Sequence, residues 1–257
     1  MDETYQAYIN RVMRITLQQS YHTQLQNIQK SPKFQDTEAV DFPGYSVITP
    51  PGDEDGANQA FYRDLAEAQR ELVGQLPPNL VIPLPTKTFH LTLADLIWDS
   101  AYRTKIKENP SFSEQLKSCI RESFRAYEQT KAYKKPNKWQ LLGLMVLPRA
   151  ITVALVPKNE ESYQNLLQLR QSIYQNSDLM ALGIEQQYYL NAHITLGYFN
   201  GIPGELDREN LANQLSEFNN RWLVQEPQFF EIKTGELRHF SNMMTYRREE
   251  GDPVVTI

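Results

Sequence analysis

Two short segments of the 257-residue chain carry the same chemical groups at the same spacing. One reads Thr88-Phe89-His90-Leu91-Thr92-Leu93-Ala94 and the other Asn191-Ala192-His193-Ile194-Thr195-Leu196-Gly197. Both have the form apolar-His-apolar-Thr-Leu-small. An imidazole ionises near neutral pH, so it can take or give a proton under physiological conditions. Splitting a phosphodiester without a metal needs one base for the attacking oxygen and one acid for the departing one. Two threonine hydroxyls can donate to the non-bridging oxygens, where negative charge grows in the transition state. His90, His193, Thr92 and Thr195 are therefore the candidate catalytic set. A lone strand histidine is more often a structural residue. Two copies with matched flanks, in a chain with four histidines, reverse that balance.

The apolar alternation around each histidine predicts a β-strand, in which residues two apart share a face. On that reading His90, Thr92 and Ala94 point one way, as do His193, Thr195 and Gly197. The small residue at the end of each set would leave room for a ligand. Continuing the alternation puts Asn191 and Phe199 on the face of His193, as candidate contacts for a base or ribose.

Other groups carry less. His239-Phe240-Ser241 is a third His-x-Ser/Thr match, but Arg238 replaces the apolar residue before it and Asn242 the following Leu, so it is read as structural or at the edge of the cleft. His22, among Gln and Thr, is read as a surface residue. Histidine is the commonest nitrogen ligand of zinc. Yet there is no HExxH or His-x-His pattern, and the single cysteine, Cys119, offers no ligand set, so no metal is expected. No GxGxxG, GxxxxGK[ST] or GxSxG occurs, which removes support for dinucleotide, Walker-type and serine-hydrolase chemistry and calls for no cofactor. Lys131, Lys134, Lys135 and Lys138 form a basic loop read as solvated surface.

The elements that must hold these residues follow from periodicity. Helices are expected over 2–28, 58–76, 111–132, 160–177 and 205–221, and strand-like runs over 44–51, 80–98, 139–147, 151–156, 188–199 and 229–246. Residues 30–44 are polar and proline-bounded and read as a connection. The alternation is that of an α+β or α/β protein. Charged residues at 22% and apolar ones at 40% are ordinary for a globular chain. The net charge of −5 argues against wrapping extended nucleic acid, and no run is apolar enough to cross a bilayer. With one cysteine and an acidic, signal-free start, the chain is expected to be cytoplasmic.

In its two motifs, 103 residues apart, the chain resembles the two-histidine (2H) phosphoesterases, the superfamily of the LigT-like bacterial RNA 2′,5′-ligase-like proteins and the cyclic nucleotide phosphodiesterases. The resemblance covers roughly residues 44–240. It implies an α+β fold of two lobes related by a pseudo-two-fold axis, with antiparallel sheets lining a central cleft, helices outside and one His-x-Thr per lobe. It implies a single bilobed domain over 1–257 with its core at 44–246. The helix at 2–28 and the segment 99–137 would then be additions to a compact member. The activity implied is hydrolysis of a nucleotide or RNA-terminal phosphodiester, most simply a 2′,3′-cyclic phosphate. A non-catalytic nucleotide- or RNA-end-binding module and an RNA 2′,5′-end ligase are the alternatives, with small phosphate ligands as partners in each case.

Overall fold

The computed structural model describes residues 2–132, 135–224 and 228–257. The chain begins with two helices, α1 (Tyr5–Ile15) and α2 (Gln18–Leu25), then two short strands, β1 (Phe34–Gln35) and β2 (Glu38–Ala39). Next come β3 (Gly44–Ile48), α3 (Gln59–Gln75), β4 (Val81–Pro83) and β5 (Thr92–Trp98). Helices α4 (Asp99–Glu108) and α5 (Phe112–Glu128) lead to a hairpin of β6 (Lys138–Leu147) and β7 (Ala150–Pro157). After α6 (Glu160–Tyr174), α7 (Ser177–Ala181), β8 (His193–Phe199) and α8 (Arg208–Leu223), the chain closes with β9 (Phe229–Glu231), β10 (Thr234–Asn242), β11 (Thr245–Arg247) and β12 (Val254–Thr256).

The expected single helix over 2–28 is two helices, because the chain turns extended at Leu17 before α2. The N-cap of α1 is Thr4, whose hydroxyl accepts from the Ala7 amide. Tyr8, Val12, Tyr21 and Leu25 are fully buried, and both helices pack on β6. The strand expected from Tyr188 starts only at His193, and the run over 80–98 is broken by a 3-10 turn at Thr86–Thr88. Helix α4 falls inside the segment that carried no periodic signal.

Two five-stranded antiparallel sheets form the architecture. One has the order β11-β10-β3-β5, with β12 also on β10; the other runs β4-β8-β7-β6-β9. The sheets meet through an antiparallel bridge between Leu91 and Ile194, the residues following the two histidines. This is the expected bilobed α+β arrangement, with β5-β3-β10 in one lobe answering β8-β7-β6 in the other.

The correspondence extends to a bulge. Pairing of β3 with β5 skips Leu93 between Thr92 and Ala94, and pairing of β7 with β8 skips Leu196 between Thr195 and Gly197. An extra residue in one strand re-aims the side chains that follow it. The expected alternation therefore fails after each threonine. Ala94 is fully buried and Gly197 is buried, while Asp95 and Tyr198 turn onto the cleft face instead. Each motif is thus His-x-Thr-Leu-small followed by one cleft residue.

The displaced carbonyls are held from behind by helix side chains. Arg170 of α6 donates to the Leu93 carbonyl at 2.6 Å, and Gln69 of α3 donates to the Leu196 carbonyl at 2.7 Å. Both side chains are buried. Tyr174 of α6 donates to the Asp95 carbonyl at 2.8 Å.

The small residue of the second motif makes room for protein and not for ligand. A Cβ on Gly197 would lie 2.6 Å from the Ile82 carbonyl oxygen and from Val81 Cγ1 of β4. Gly197→Ala is expected to lower stability by about 1–3 kcal/mol, the usual cost of overpacking. Denaturant unfolding checks this, and a variant as stable as the parent would show that β4 yields freely.

Candidate functional site

Each histidine ring folds back on its own backbone. His90 Nδ1 lies 2.7 Å from the Thr88 carbonyl oxygen, and His193 Nδ1 lies 2.6 Å from the Asn191 carbonyl oxygen. A carbonyl only accepts, so in both neutral rings Nδ1 carries the proton and Nε2 presents a lone pair. Both histidines, Thr92 and Thr195 line one inner chamber of about 130 Å³ with Lys33, Ser46, Asp95, Tyr198 and Tyr246. The four residues singled out from the sequence are therefore brought together. The two threonine hydroxyls are committed to no other group among the described residues.

The chamber opens into a vestibule of about 660 Å³, which shares Lys33, Asp95, His193, Thr195 and Tyr198 with it. Phe42, Trp98 and Tyr188 give the vestibule aromatic walls, and Arg149 stands exposed at the β6–β7 turn. His90 lies only in the inner chamber, where the Tyr246 ring stands edge-on to it at 4.5 Å between centroids.

Lys33 was not visible as a site residue in the sequence. It sits in the connection after α2, pinned to the β6–β7 turn by an amide bond from Gln29 to the Pro148 carbonyl and to the end of β8 by one from Ser31 to the Phe199 carbonyl. Its ammonium lies over the rings of Phe42 and Tyr198 and donates to the Tyr198 hydroxyl at 3.3 Å. It makes no ion pair among the described residues, which leaves its charge to the chamber. The Pro32 before it and the buried Phe34 after it mark a pinned segment, but no residue type in the stretch announces chemistry.

Two other expected contacts fall elsewhere. Phe199 is fully buried, because the bulge at Leu196 reverses the alternation that would have placed it in the cleft. Asn191 acts through its carbonyl; its side-chain amide donates to Met145 Sδ at 3.4 Å and lines neither chamber. His239 packs against Tyr45 and Tyr102 at 5.0 and 5.9 Å, away from the chamber. His22 lies on α2 and lines neither cavity. Of the basic loop, Lys135 pairs with Glu161 at 3.4 Å, and Tyr133 and Lys134 lie outside the described residues. Among the described residues no three His, Cys, Asp or Glu are grouped to hold a metal ion, and no helix is long and apolar enough to cross a membrane.

Burial pushes His90 down from 6.5 to about 4, against the Thr88 bond, with His193, Lys33 and Arg238 adding repulsion. Burial also lowers His193, opposed by the Asn191 carbonyl and by Asp95, with Lys33 acting in the same sense as burial. Both rings are therefore neutral at neutral pH.

A bilobed α+β protein with one histidine–threonine strand per lobe facing a shared cleft is the class that fold and site define. Neither a protein-family model nor a curated protein matches the sequence. Solved structures do match. A conserved protein of unknown function from Agrobacterium tumefaciens has 13% identity and a TM-score of 0.59, over 85% of this chain and 90% of that one. The chain is also similar to Escherichia coli LigT in its apo form, with 13% identity and a TM-score of 0.44 over 85% of this chain and 99% of that one. A protein from Thermus thermophilus follows at 16% identity and a TM-score of 0.43, covering 84% and 94%. At these identities the Agrobacterium protein shares the fold and brings no activity with it.

The depressed His90 has a consequence for stability. On unfolding its pKa returns to about 6.5, so between about 4 and 6.5 the unfolded chain binds protons that the folded one refuses. Its effect is absent above 6.5 and grows as destabilisation while pH falls toward 4. His193 and His239 shift in the same direction. His90→Gln is expected to flatten the fall of thermal midpoint across that window. Parallel pH profiles for parent and variant would show that His90 titrates alike in both states.

Proposed function

We propose that the chain is a metal-independent phosphodiesterase acting on a nucleotide or RNA-terminal phosphodiester, most simply a 2′,3′-cyclic phosphate. The observation that carries this reading is the paired imidazoles. Each has Nδ1 tied to a backbone carbonyl and Nε2 turned to a chamber shared with two free threonine hydroxyls and Lys33. The chamber has roughly the volume of four water molecules. That leaves room for a tetrahedral phosphate.

One histidine takes a proton from the attacking water while the other supplies one to the departing ribose oxygen. Thr92, Thr195 and Lys33 meet the non-bridging oxygens, where fixed donors act on developing charge. Lys33 and the phosphate form a charge-assisted pair in a partly desolvated site. The phosphate's own charge also raises the pKa of neighbouring imidazoles, so a neutral empty pair acquires its working proton when substrate binds. The substituent on phosphorus would lie in the vestibule, where aromatic faces suit a nucleobase. Acidic overall charge favours a short ligand over an extended strand.

Purified protein in EDTA with the four 2′,3′-cyclic nucleotides is expected to open the ring. His90→Ala and His193→Ala should each lose at least about 10²-fold in kcat, the ordinary contribution of one general acid or base. Lys33→Met should weaken inorganic phosphate binding about tenfold or more, the worth of one hydrogen bond to a charged group. Chromatography and calorimetry read these outcomes. Turnover that survives either histidine change would overturn the assignment. Folded protein that binds phosphate but turns over nothing would make this a binding module.

A further inference from the structure

The two halves of the site are matched to the level of the hydrogen bond, so local bonding does not distinguish the two histidines. Both rings spend Nδ1 on a carbonyl two residues upstream, both threonines follow at the same spacing, and both strands bulge at the next residue. The match ends at the residue each bulge delivers to the cleft. In the first lobe it is Asp95 and in the second Tyr198, each five positions beyond its histidine.

Asp95 is thus a carboxylate in a chamber whose chemistry otherwise suits an anion. It is the one carboxylate among the described residues lining the inner chamber. Its side chain has no hydrogen-bond donor and no ion-pair partner among the described residues. Burial raises the pKa of Asp95, and the facing charges of His193, Arg170 and Lys33 draw it back toward its ionised form, because facing positive charge reduces the cost of a buried carboxylate. Asp95 lines the vestibule together with His193 and Lys33, whereas His90 does not reach the vestibule. The charged groups around the pair come from four elements. Asp95 on β5 and Lys33 before β1 face His193; Lys33 and Arg238 on β10 bear on His90; Arg170 on α6 lies behind Asp95.

We propose that Asp95 breaks the symmetry of the pair, making His193 its proton-bearing member and hence the acid, and leaving His90 as the base. This rests on the phosphodiesterase reading for its catalytic meaning. Asp95 touches no reacting atom and is a positioning residue for a proton. The Tyr198 hydroxyl at the matching place is neutral and offers His90 no such help. The charge of Asp95 acts on His193 in the sense opposite to burial, in agreement with the geometry. On the His90 side the nearest guanidinium, Arg238, is already paired with Glu236 and Glu54 and adds only a small repulsion.

In the resulting step, a water oxygen bonds to phosphorus and gives its proton to His90 Nε2. The bond from phosphorus to the ribose oxygen breaks with its electron pair, and that oxygen takes the proton from His193 Nε2. Water has been added across the P–O bond and the proton of the pair has moved from His193 to His90. Exchange with solvent resets it.

The four histidines allow a direct test on the full chain. Imidazole ¹³Cε1 signals, assigned with His22→Gln, His90→Gln, His193→Gln and His239→Gln, are followed against pH with inorganic phosphate present. In the parent, His193 is expected to take its proton at higher pH than His90. Asp95→Asn should lower the His193 midpoint by about half a pH unit or more, as loss of a nearby opposite charge does, and move His90 less. Asp95→Ser serves if the amide variant folds poorly, and the order of protonation in the parent needs no variant. A His90 that protonates first, or a His193 midpoint unmoved in both variants, overturns the proposal.

A kinetic arm separates this from the reading beneath it. A p-nitrophenolate leaves without protonation, so a p-nitrophenyl phosphodiester should make the acid dispensable. On it His193→Ala is expected to lose less than about tenfold, against about 10²-fold or more on a ribose diester, while His90→Ala loses on both. Rescue of His90→Ala instead would reverse the roles. Absence of all turnover with the proton order intact counts against the phosphodiesterase and not against Asp95.

Discussion

Two buried hydrogen bonds, one from Arg170 to the Leu93 carbonyl and one from Gln69 to the Leu196 carbonyl, hold the geometry on which the cleft depends. A bulge takes a backbone carbonyl out of the ladder, and a buried carbonyl without a partner costs about as much as a lost hydrogen bond. The first lobe meets that cost with Arg170, and the second with Gln69 together with the Leu84 amide, which donates to the Leu196 carbonyl at 2.9 Å. With the bulge secured, His and Thr face the cleft in register, the next two residues turn into the protein, and Asp95 or Tyr198 returns to the cleft. The helices on the outer face and the chemistry on the inner face are linked through these two carbonyls.

The same frame sets the electrostatics. The imidazoles are partly removed from water and lean on carbonyls, which fixes their tautomers while burial keeps them uncharged. Lys33 adds positive charge from a segment that neither motif strand supplies. Positive charge already held there by Lys33 disfavours a proton on either ring.

Much of this was legible in the sequence, and the parts that were not have physical reasons. The duplicated apolar-His-apolar-Thr-Leu-small run located the histidines and threonines and gave strand context, because period-two alternation is a local property. Its extension to Ala94, Gly197 and Phe199 failed because a bulge leaves no signature when the skipped residue is a leucine like any strand leucine. Asn191 was found for its side chain but serves through its carbonyl, a group every residue shares. Lys33 was missed because its position depends on amide bonds from a connecting segment to the β6–β7 turn and to the far end of β8. The break at Leu17 and the helix α4 were missed because tertiary packing, not periodicity, defines them. His239, which Arg238 precedes in place of an apolar residue, packs on Tyr45 and Tyr102.

The order of strands in the sheets has a further consequence. Strand β4 precedes the first motif in the chain yet pairs with β8 of the second, while β10, β11 and β12 come from the C-terminal end and complete the sheet of the first. The lobes are interlaced, so no cut between the motifs yields a half with a whole sheet. Contacts of such long sequence separation slow folding, since loops must close before pairing is rewarded. A nascent chain therefore cannot complete its first lobe until β10, β11 and β12 have been synthesised.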